Sequence, residues 1–253
     1  MQADYWDALA ASFEEDVFQP VATDLDGTIL NAVLNLASKG RSVADIGCGT
    51  GSFLPTLAGH FGSVMAIDLS KHCLEIAQKR HKNIEDVKFL QHDLTLPLSD
   101  IQQFDVGVCL NVAIMSNYDA RMRLLRNVMS LIRPRGHLLM LVPAVESVLL
   151  TIHRLVLWNI EDSKTYLRAA AAAASELGFT ACSIRDGIVE KGGTPTKHYL
   201  REELELLINE LGHKVCSIEK VQYPWHSEFD VPPASMGAPY PWDWLVVSTP
   251  VSV

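Results

Sequence analysis

The sequence has 253 residues and a mass of 28.0 kDa, which is enough for one large domain with a substantial core. Its content of 48% hydrophobic and 20% charged residues is typical of globular proteins and excludes a disordered, collagenous or coiled-coil chain. The 30 acidic and 21 basic side chains give a formal net charge of −9, which disfavours nucleic acid and anionic membranes as partners.

The five cysteines are scattered and form no Cys-x-x-Cys pair, so we expect reduced thiols and no structural metal. The N-terminal stretch has neither a basic start nor an apolar core, and no run of about 18 apolar residues occurs. We therefore expect a cytoplasmic protein.

Short apolar strands alternate with amphipathic helices between residues 42 and 142, a pattern typical of βαβ units around a parallel sheet. The predicted strands are 42–46, 64–68, 87–90, 104–110 and 137–142, and the predicted helices between them are 53–61, 71–80 and 119–132. Ser70 is the predicted cap of the second of these helices. Asp26 or Thr28 is the predicted cap of an earlier helix over 29–38.

The pattern changes beyond residue 145. Helices are predicted at 146–158, at 163–177, which contains six consecutive alanines, and at 200–211. Asp186-Gly187 and Gly192-Gly193 indicate a hairpin within 182–199. The last two strands are predicted at 214–221 and 244–248, joined by a loop rich in proline and aromatic residues.

A glycine cluster lies between the first strand and the next helix. Gly47, Gly49 and Gly51 stand at alternate positions after Asp45. Glycines here let a ligand lie against the backbone, whose N–H groups point at it.

Two acidic residues follow at the ends of the next two strands. Asp68 lies about 20 residues beyond the glycines, where a carboxylate can accept hydrogen bonds from both hydroxyls of a ribose. Asp93 follows the third strand, where a carboxylate can accept from an exocyclic amine such as that of adenine. Together with the glycines, these acids predict an adenosine-containing ligand at the carboxyl edge of the sheet.

The sequence Asp45-x-Gly47-x-Gly49-x-Gly51 resembles motif I of the class I S-adenosylmethionine-dependent methyltransferases, and the likeness is closest over residues 40–145. The resemblance implies an α/β fold with a Rossmann-like, seven-stranded, mostly parallel sheet, helices on both faces, an antiparallel last strand and a C-terminal lid insertion. The implied single domain over 1–253 comprises an N-terminal helical cap (1–41), a cofactor-binding core (42–145), an acceptor lid with the last sheet elements (146–242) and a final strand (243–253).

The resemblance also implies S-adenosyl-L-methionine as cofactor, S-adenosyl-L-homocysteine as product and no metal. Asp45 and the glycines would surround the methionine end, Asp68 the ribose and Asp93 the adenine, with Asn111 near the methyl group. The full implied cofactor set is Asp45, Gly47, Cys48, Gly49, Gly51, Asp68, Leu69, Asp93, Leu94 and Asn111.

The segment after the fourth strand narrows the acceptor. It begins with Asn111-Val112-Ala113-Ile114 and lacks the Asp/Asn-Pro-Pro-Tyr element that the family uses for base or glutamine amide nitrogens. A Pro-Cys nucleophile for cytosine C5 is also absent. With the acidic charge, these departures favour methyl transfer to an oxygen or nitrogen of a small molecule, with a protein methyltransferase and a non-catalytic cofactor-binding protein as alternatives.

Acceptor contacts are predicted among aromatic and polar side chains that follow the strands or lie in the expected lid. Candidate substrate-binding residues are Tyr5, Tyr118, Glu146 and His198. His153 is the candidate general base, because histidine suits that task near neutral pH.

Two further enzyme classes share part of the pattern. Asp24-Leu25-Asp26-Gly27-Thr28 matches the motif of haloacid dehalogenase-like phosphatases, but that motif follows a buried strand, and here Pro20 interrupts a short segment. A nicotinamide-dependent oxidoreductase requires Gly-x-Gly-x-x-Gly, and Ser52 breaks this pattern.

Overall fold

A seven-stranded sheet forms the centre of the protein. The computed structural model describes residues 3–98, 101–161, 165–176, 185–191 and 194–251. In chain order the strands are β1 Ser42–Ile46, β2 Ser63–Asp68, β3 Val87–Gln91, β4 Phe104–Leu110, β5 Ile132–Pro143, β6 Ile188–Lys191, β7 Thr194–Lys197, β8 His213–Gln222 and β9 Trp242–Pro250.

The strand order in the large sheet is β3-β2-β1-β4-β5-β9-β8. Neighbouring strands from β3 to β5 are parallel, whereas β9 runs antiparallel to both β5 and β8. The predicted sheet, with its last strand inserted antiparallel, is confirmed. Strands β6 and β7 form a separate antiparallel hairpin, as predicted, although Gly192 and Gly193 lie outside the described residues.

Ten α-helices accompany these strands in the described part of the chain. They are α1 Ala3–Leu9, α2 Phe13–Asp16, α3 Pro20–Thr23, α4 Thr28–Leu36, α5 Leu54–His60, α6 Lys71–Arg80, α7 Tyr118–Ser130, α8 Val145–Glu161, α9 Tyr166–Glu176 and α10 Arg201–Glu210. Two 3-10 turns, Ala10–Ser12 and Trp225–Ser227, complete the set. The alanine run lies in α9, where Ala169 and Ala173 are buried.

The core lies on both faces of the sheet. Helices α7 and α10 contribute Leu125 and Leu204 to one face, and α4 and α5 contribute Ile29 and Leu57 to the other. Strand β4 supplies both layers, which explains why its sequence is apolar almost throughout. This two-sided burial makes the sheet rigid enough to position residues at its carboxyl edge.

The cap of one helix and the start of one strand differ most from the prediction. The cap of α4 is neither Asp26 nor Thr28, because Gly27 precedes the helix with a φ of 66° and the Asp24 carboxylate accepts the Ile29 N–H at 2.8 Å. Asp24 also follows a short helix rather than a buried strand, so the phosphatase alternative lacks its expected setting. By contrast, the predicted Ser70 cap is confirmed, since its hydroxyl accepts the Cys73 N–H at 3.0 Å.

The start of β5 is the second correction. Ile132 was predicted as the end of a helix, but α7 ends at Ser130 and Ile132 pairs with Phe104 in the sheet. Regular pairing resumes at His137, and between the two points Arg135 has a φ of 68°. The strand is therefore longer than 137–142 because the proline- and glycine-containing segment interrupts the pairing without ending it.

Two leucines on α10 provide a test of the packing between this helix and the sheet. Leu204 is fully buried, whereas Leu206 is 66% exposed. We expect Leu204→Ala to lower the free energy of unfolding by about 2–5 kcal/mol because it leaves a cavity in the core. Leu206→Ala should change it by less than about 0.5 kcal/mol. Urea denaturation followed by circular dichroism measures both, and equal losses would contradict the described orientation of α10.

Candidate functional site

A cavity of about 820 Å³ opens at the carboxyl ends of the first four strands. Strand β1 lies between β2 and β4. After β1 the chain adds β2 and β3 on one side of it, and it then returns to add β4 and β5 on the other side. Open α/β sheets bind ligands at such a switch point. The described residues that line the cavity run from Ala3 to Leu124.

The glycine loop forms one wall of this cavity. Gly47, Gly49 and Gly51 have φ values of 73°, 53° and 79°, which L side chains rarely adopt. A Cβ on Gly47 would lie 2.3 Å from the Val112 side chain, and one on Gly49 would lie 2.6 Å from the Phe13 ring. The loop therefore needs glycine both for its backbone angles and for the close approach of these two side chains.

Asp68 lines the cavity and also braces the loop. Its carboxylate accepts the Gly49 N–H and the Ser70 N–H, each at 2.8 Å. Burial raises the pKa of Asp68, and these backbone hydrogen bonds oppose that rise by favouring the charged form. The residue predicted to hold a ribose is thus fixed in place before any ligand arrives.

Asp45 is the most unusual ionisable group in the cavity. Its side chain is 5% exposed, and its Oδ2 has no hydrogen-bond partner among the described residues. Burial and, secondarily, the nearby charge of Asp68 raise the pKa of Asp45 to about 7. A buried carboxylate without a partner is well suited to a cationic ligand group.

Asp93 lies at the far side of the cavity, together with Leu69 and Leu94. Its Oδ1 accepts hydrogen bonds from the backbone and the hydroxyl of Thr95, at 2.8 and 2.7 Å. These two bonds orient the carboxylate and occupy one of its oxygens. The second oxygen faces no donor that the structure records, as an adenine-binding role requires.

The structure brings most of the predicted cofactor residues together. Those that line the cavity are Asp45, Gly47, Cys48, Asp68, Leu69, Asp93, Leu94 and Asn111. Gly49 and Gly51 shape the loop behind this lining.

The N-terminal segment supplies a wall that the sequence interpretation described only as a helical cap. Phe13, Val17, Phe18 and Val21 line the cavity opposite the strand ends. Asp7 ties this segment to the start of α6, where its carboxylate accepts hydrogen bonds from the Ser70 hydroxyl and the His72 N–H. The aromatic and apolar residues spaced through this otherwise polar segment were the signal available for finding this wall.

The predicted acceptor residues lie outside the cavity lining. Tyr118 is 63% exposed, His153 is exposed on α8, and Tyr5 packs edge-on against Trp6. Glu146 instead accepts hydrogen bonds from the Arg201 N–H at 3.0 Å and the Trp244 indole N–H at 3.1 Å.

His198 lies beside β7, with its Nδ1 3.1 Å from the Thr196 carbonyl oxygen. The C-terminal lid and the acceptor roles of Tyr5, Tyr118, Glu146, His198 and His153 stay predictions.

The described residues contain no group of three or more side chains arranged to hold a metal ion. Within the same ranges, no helix combines the length and apolar character needed to cross a membrane.

The strand order, the antiparallel β9, the glycine loop and the acids at the ends of β2 and β3 together define a class I methyltransferase fold. Residues 43–136 match the family model described as a methyltransferase domain. The resemblance to the S-adenosylmethionine-dependent class I methyltransferases is therefore confirmed.

Two curated relatives match parts of the chain. The ubiquinone biosynthesis O-methyltransferase of Coxiella burnetii is 28% identical over 101 residues, which are 40% of this chain and 42% of that protein. The tRNA/tmRNA (uracil-C(5))-methyltransferase of Campylobacter hominis is 29% identical over 79 residues, or 31% of this chain and 22% of that protein. The chain thus matches less than half the length of each. Because the second relative is named for RNA, the comparisons do not support the exclusion of nucleic acid drawn from net charge.

A solved structure covers nearly the whole chain. The crystal structure of magnesium protoporphyrin IX methyltransferase from Synechocystis PCC 6803, with bound S-adenosylhomocysteine, has a TM-score of 0.61 and 14% sequence identity. The match covers 98% of each chain. The structural similarity to a class I methyltransferase fold therefore reaches beyond residues 43–136.

The raised pKa of Asp45 predicts a pH-dependent cost to stability. Because the folded pKa of about 7 exceeds the ordinary value of 3.8, the native state is favoured at low pH and loses stability as the pH rises from about 4 to 7. The cost at pH 8 is on the order of 4 kcal/mol. We expect Asp45→Asn to raise the melting temperature relative to wild type by more at pH 8 than at pH 5.

Asp105 provides a control of opposite sign. Burial alone would raise its pKa, but hydrogen bonds from Ser42 and the charge of Arg133 hold the pKa of Asp105 below its ordinary value. Asp105→Asn should therefore cost stability at pH 8, and this cost should stay nearly constant down to about pH 4 and shrink only as the pH falls below that value, through the lowered pKa of Asp105. Differential scanning fluorimetry across about pH 2.5–8.5 compares the two variants. If the difference in melting temperature between Asp45→Asn and wild type did not change with pH, the raised pKa of Asp45 would be contradicted.

Proposed function

We propose that the protein is an S-adenosyl-L-methionine-dependent methyltransferase that transfers a methyl group to an oxygen or nitrogen of a small, neutral molecule with an apolar body. The observation that carries the proposal is the cavity at the switch point of the sheet, where three carboxylates lie at the ends of neighbouring strands. Their spacing suits a ligand that has a cationic end, a ribose and an adenine.

The residues present fit this cofactor. The partnerless carboxylate oxygen of Asp45 suits the positively charged methionine end, beside the backbone of the glycine loop. Asp68 is oriented to accept ribose hydroxyls, and the free oxygen of Asp93 suits the adenine amine. We assign Asn111 to the methyl end, because Val112 beside it packs directly on Gly47.

Methyl transfer from a sulfonium requires mainly that the protein align the two reactants. S-adenosylmethionine, when bound, supplies a methyl group on a sulfonium, whose leaving group is a neutral thioether. The residues of this chain would hold the acceptor in line with that methyl group and exclude water from the reacting atoms, and no covalent nucleophile is needed. The O–H or N–H proton of the acceptor would be released to solvent at the mouth of the cavity. The apolar side chains of Phe18, Val21, Val112 and Met115 suit that exclusion.

The charge of the lining favours a neutral acceptor. Glu14, Asp45, Asp68 and Asp93 line the cavity, and its described lining contains no lysine or arginine. A carboxylate or phosphate on the acceptor would be desolvated beside like charges and without a cationic partner. In this proposal residues 1–41 cover the cofactor site, 42–145 form the core, and 146–242, before the final strand at 243–253, remain the proposed acceptor lid.

Cofactor binding is the first test. We expect S-adenosylmethionine and S-adenosylhomocysteine to bind at micromolar concentration and NAD not to bind, as measured by isothermal titration calorimetry. Asp68→Asn should weaken binding at least about tenfold, since it removes a charged acceptor of hydrogen bonds. Asp105 lies near the start of β4, at the end of the strand away from the cavity, so Asp105→Asn should leave the affinity unchanged. Absence of binding by protein shown to be folded would refute the proposal.

The acceptor class is tested by turnover. Neutral phenols and anilines should yield methylated products in mass spectrometry, with kcat/KM at least about tenfold above that of matched molecules carrying a carboxylate, because burying an unpaired charge is costly. The pair 4-propylphenol and 3-(4-hydroxyphenyl)propionate differs mainly in this charge. Faster reaction of the carboxylate would overturn the neutral class. Methylation of proteins or RNA in place of small molecules, or cofactor binding without any turnover, would support a different class.

A further inference from the structure

Three polar side chains form a buried cluster beside the cavity, and no part of the proposed cofactor site uses two of them. Asn111 follows β4, Tyr223 follows β8, and Asp243 lies in β9. The Asp243 Oδ2 atom is 3.4 Å from the Asn111 Nδ2 and accepts the Tyr223 hydroxyl at 3.1 Å. The cluster thus joins three strands that are distant in sequence.

The chemistry of Asp243 fixes the orientation of the Asn111 amide. An ionised carboxylate only accepts hydrogen bonds, so it faces the NH₂ group of Asn111 and turns the amide oxygen away. That oxygen, Oδ1, is buried and has no hydrogen-bond partner among the described residues. Because Asn111 lines the cavity, this unused acceptor lies beside the cavity wall.

The backbone of Asn111 adds to this constraint. Its φ of 55° lies in the left-handed region, and its N–H donates to the Leu141 carbonyl at 2.9 Å. Asparagine tolerates this conformation better than most residues, and strained residues of this kind cluster at functional sites. The Asn111 backbone is therefore fixed at the cavity wall, and the hydrogen bond to Asp243 restrains its side chain.

Tyr223 connects the cluster to the apolar wall. Its ring contacts the Phe18 ring edge-on, with centroids 4.8 Å apart, and Phe18 lines the cavity. Burial and the charge of Asp243 raise the pKa of Tyr223, so its hydroxyl stays protonated and keeps donating to Asp243. The same side chain therefore supports the carboxylate and the surface against which an apolar ligand would lie.

We infer that Asn111 Oδ1 accepts a hydrogen bond from the hydroxyl or amine of the methyl acceptor, and that Asp243 and Tyr223 are positioning residues that aim it. This inference rests on the proposed function and adds to it a requirement on the acceptor. The acceptor carries an O–H or N–H donor on an apolar body, and a molecule whose donor is already methylated loses the bond to Asn111.

The test compares probes that differ only in this donor. 4-Propylphenol and 4-propylanisole form one pair, and 4-propylaniline and N,N-dimethyl-4-propylaniline form the other. Their dissociation constants are measured by ligand-observed NMR titration on the complex of the full chain with S-adenosylhomocysteine. We expect the wild type to prefer the donor-bearing member of at least one pair about fivefold or more, the effect of one net hydrogen bond.

The variants separate positioning from general damage. Asp243→Asn and Tyr223→Phe should each reduce the preference to within about twofold, while the affinity for S-adenosylhomocysteine stays within about twofold of wild type. Tyr223→Phe is the more conservative change and tests the inference if Asp243→Asn fails to fold. Asp105→Asn is the matched control, since it neutralises a carboxylate far from the cavity, and it should retain the full preference.

The outcomes are distinct. Loss of the preference in the variants, with cofactor affinity retained, supports the inference, and the responsive pair identifies hydroxyl or amine as the donor. A wild-type complex that shows no preference in either pair or binds none of the probes, or variants that keep the preference, would overturn it. A wild type that does not bind S-adenosylhomocysteine refutes the proposed function itself.

Discussion

The site depends on the close packing of two side chains against the glycine loop after β1. Val112 and Phe13 occupy the space that side chains at positions 47 and 49 would fill. Asp68 holds the loop from the other side through the Gly49 N–H. Three segments that are distant in sequence therefore meet at one turn, and a bulkier residue in the loop would displace all of them.

The described lining of the cavity carries four carboxylates and no lysine or arginine. Asp45 and Asp68 are buried near each other, and burial raises the pKa of both. Such a site stores free energy that a cationic ligand releases when it pairs with the carboxylates. The stability that the fold gives up at Asp45 is thus the same free energy that favours binding.

Sequence patterns predicted the sheet, and a group of residues that the structure brings together at one cavity, because both depend on local features. Alternating strands and helices, the positive-φ glycines and the acids at strand ends are each readable within a few residues. The predicted Ser70 cap has the same local character and is confirmed. The Asp24 cap was missed because its carboxylate reaches five residues forward, across Gly27, rather than the usual two or three.

The remaining walls of the cavity were harder to predict because they are built by tertiary contacts. Nothing in the sequence near Asn111 indicates that Asp243, 132 positions later, lies beside it. The wall formed by Phe13 and Phe18 likewise depends on how the N-terminal segment folds back over the sheet. The candidate acceptor residues follow strands or lie in the N-terminal segment or the expected lid, and position in the sequence does not distinguish a side chain that faces the cavity from one that faces solvent.

The position of β9 has a consequence for how the protein is assembled during synthesis. β9 pairs with β5 and β8 but follows β5 by about a hundred residues, so the ribosome must deliver nearly the whole described chain before the sheet closes. Until then β5 and β8 present unpaired edges, which are templates for association between nascent chains. Because β9 also carries Asp243, the step that removes these edges is the same step that completes the cluster around Asn111.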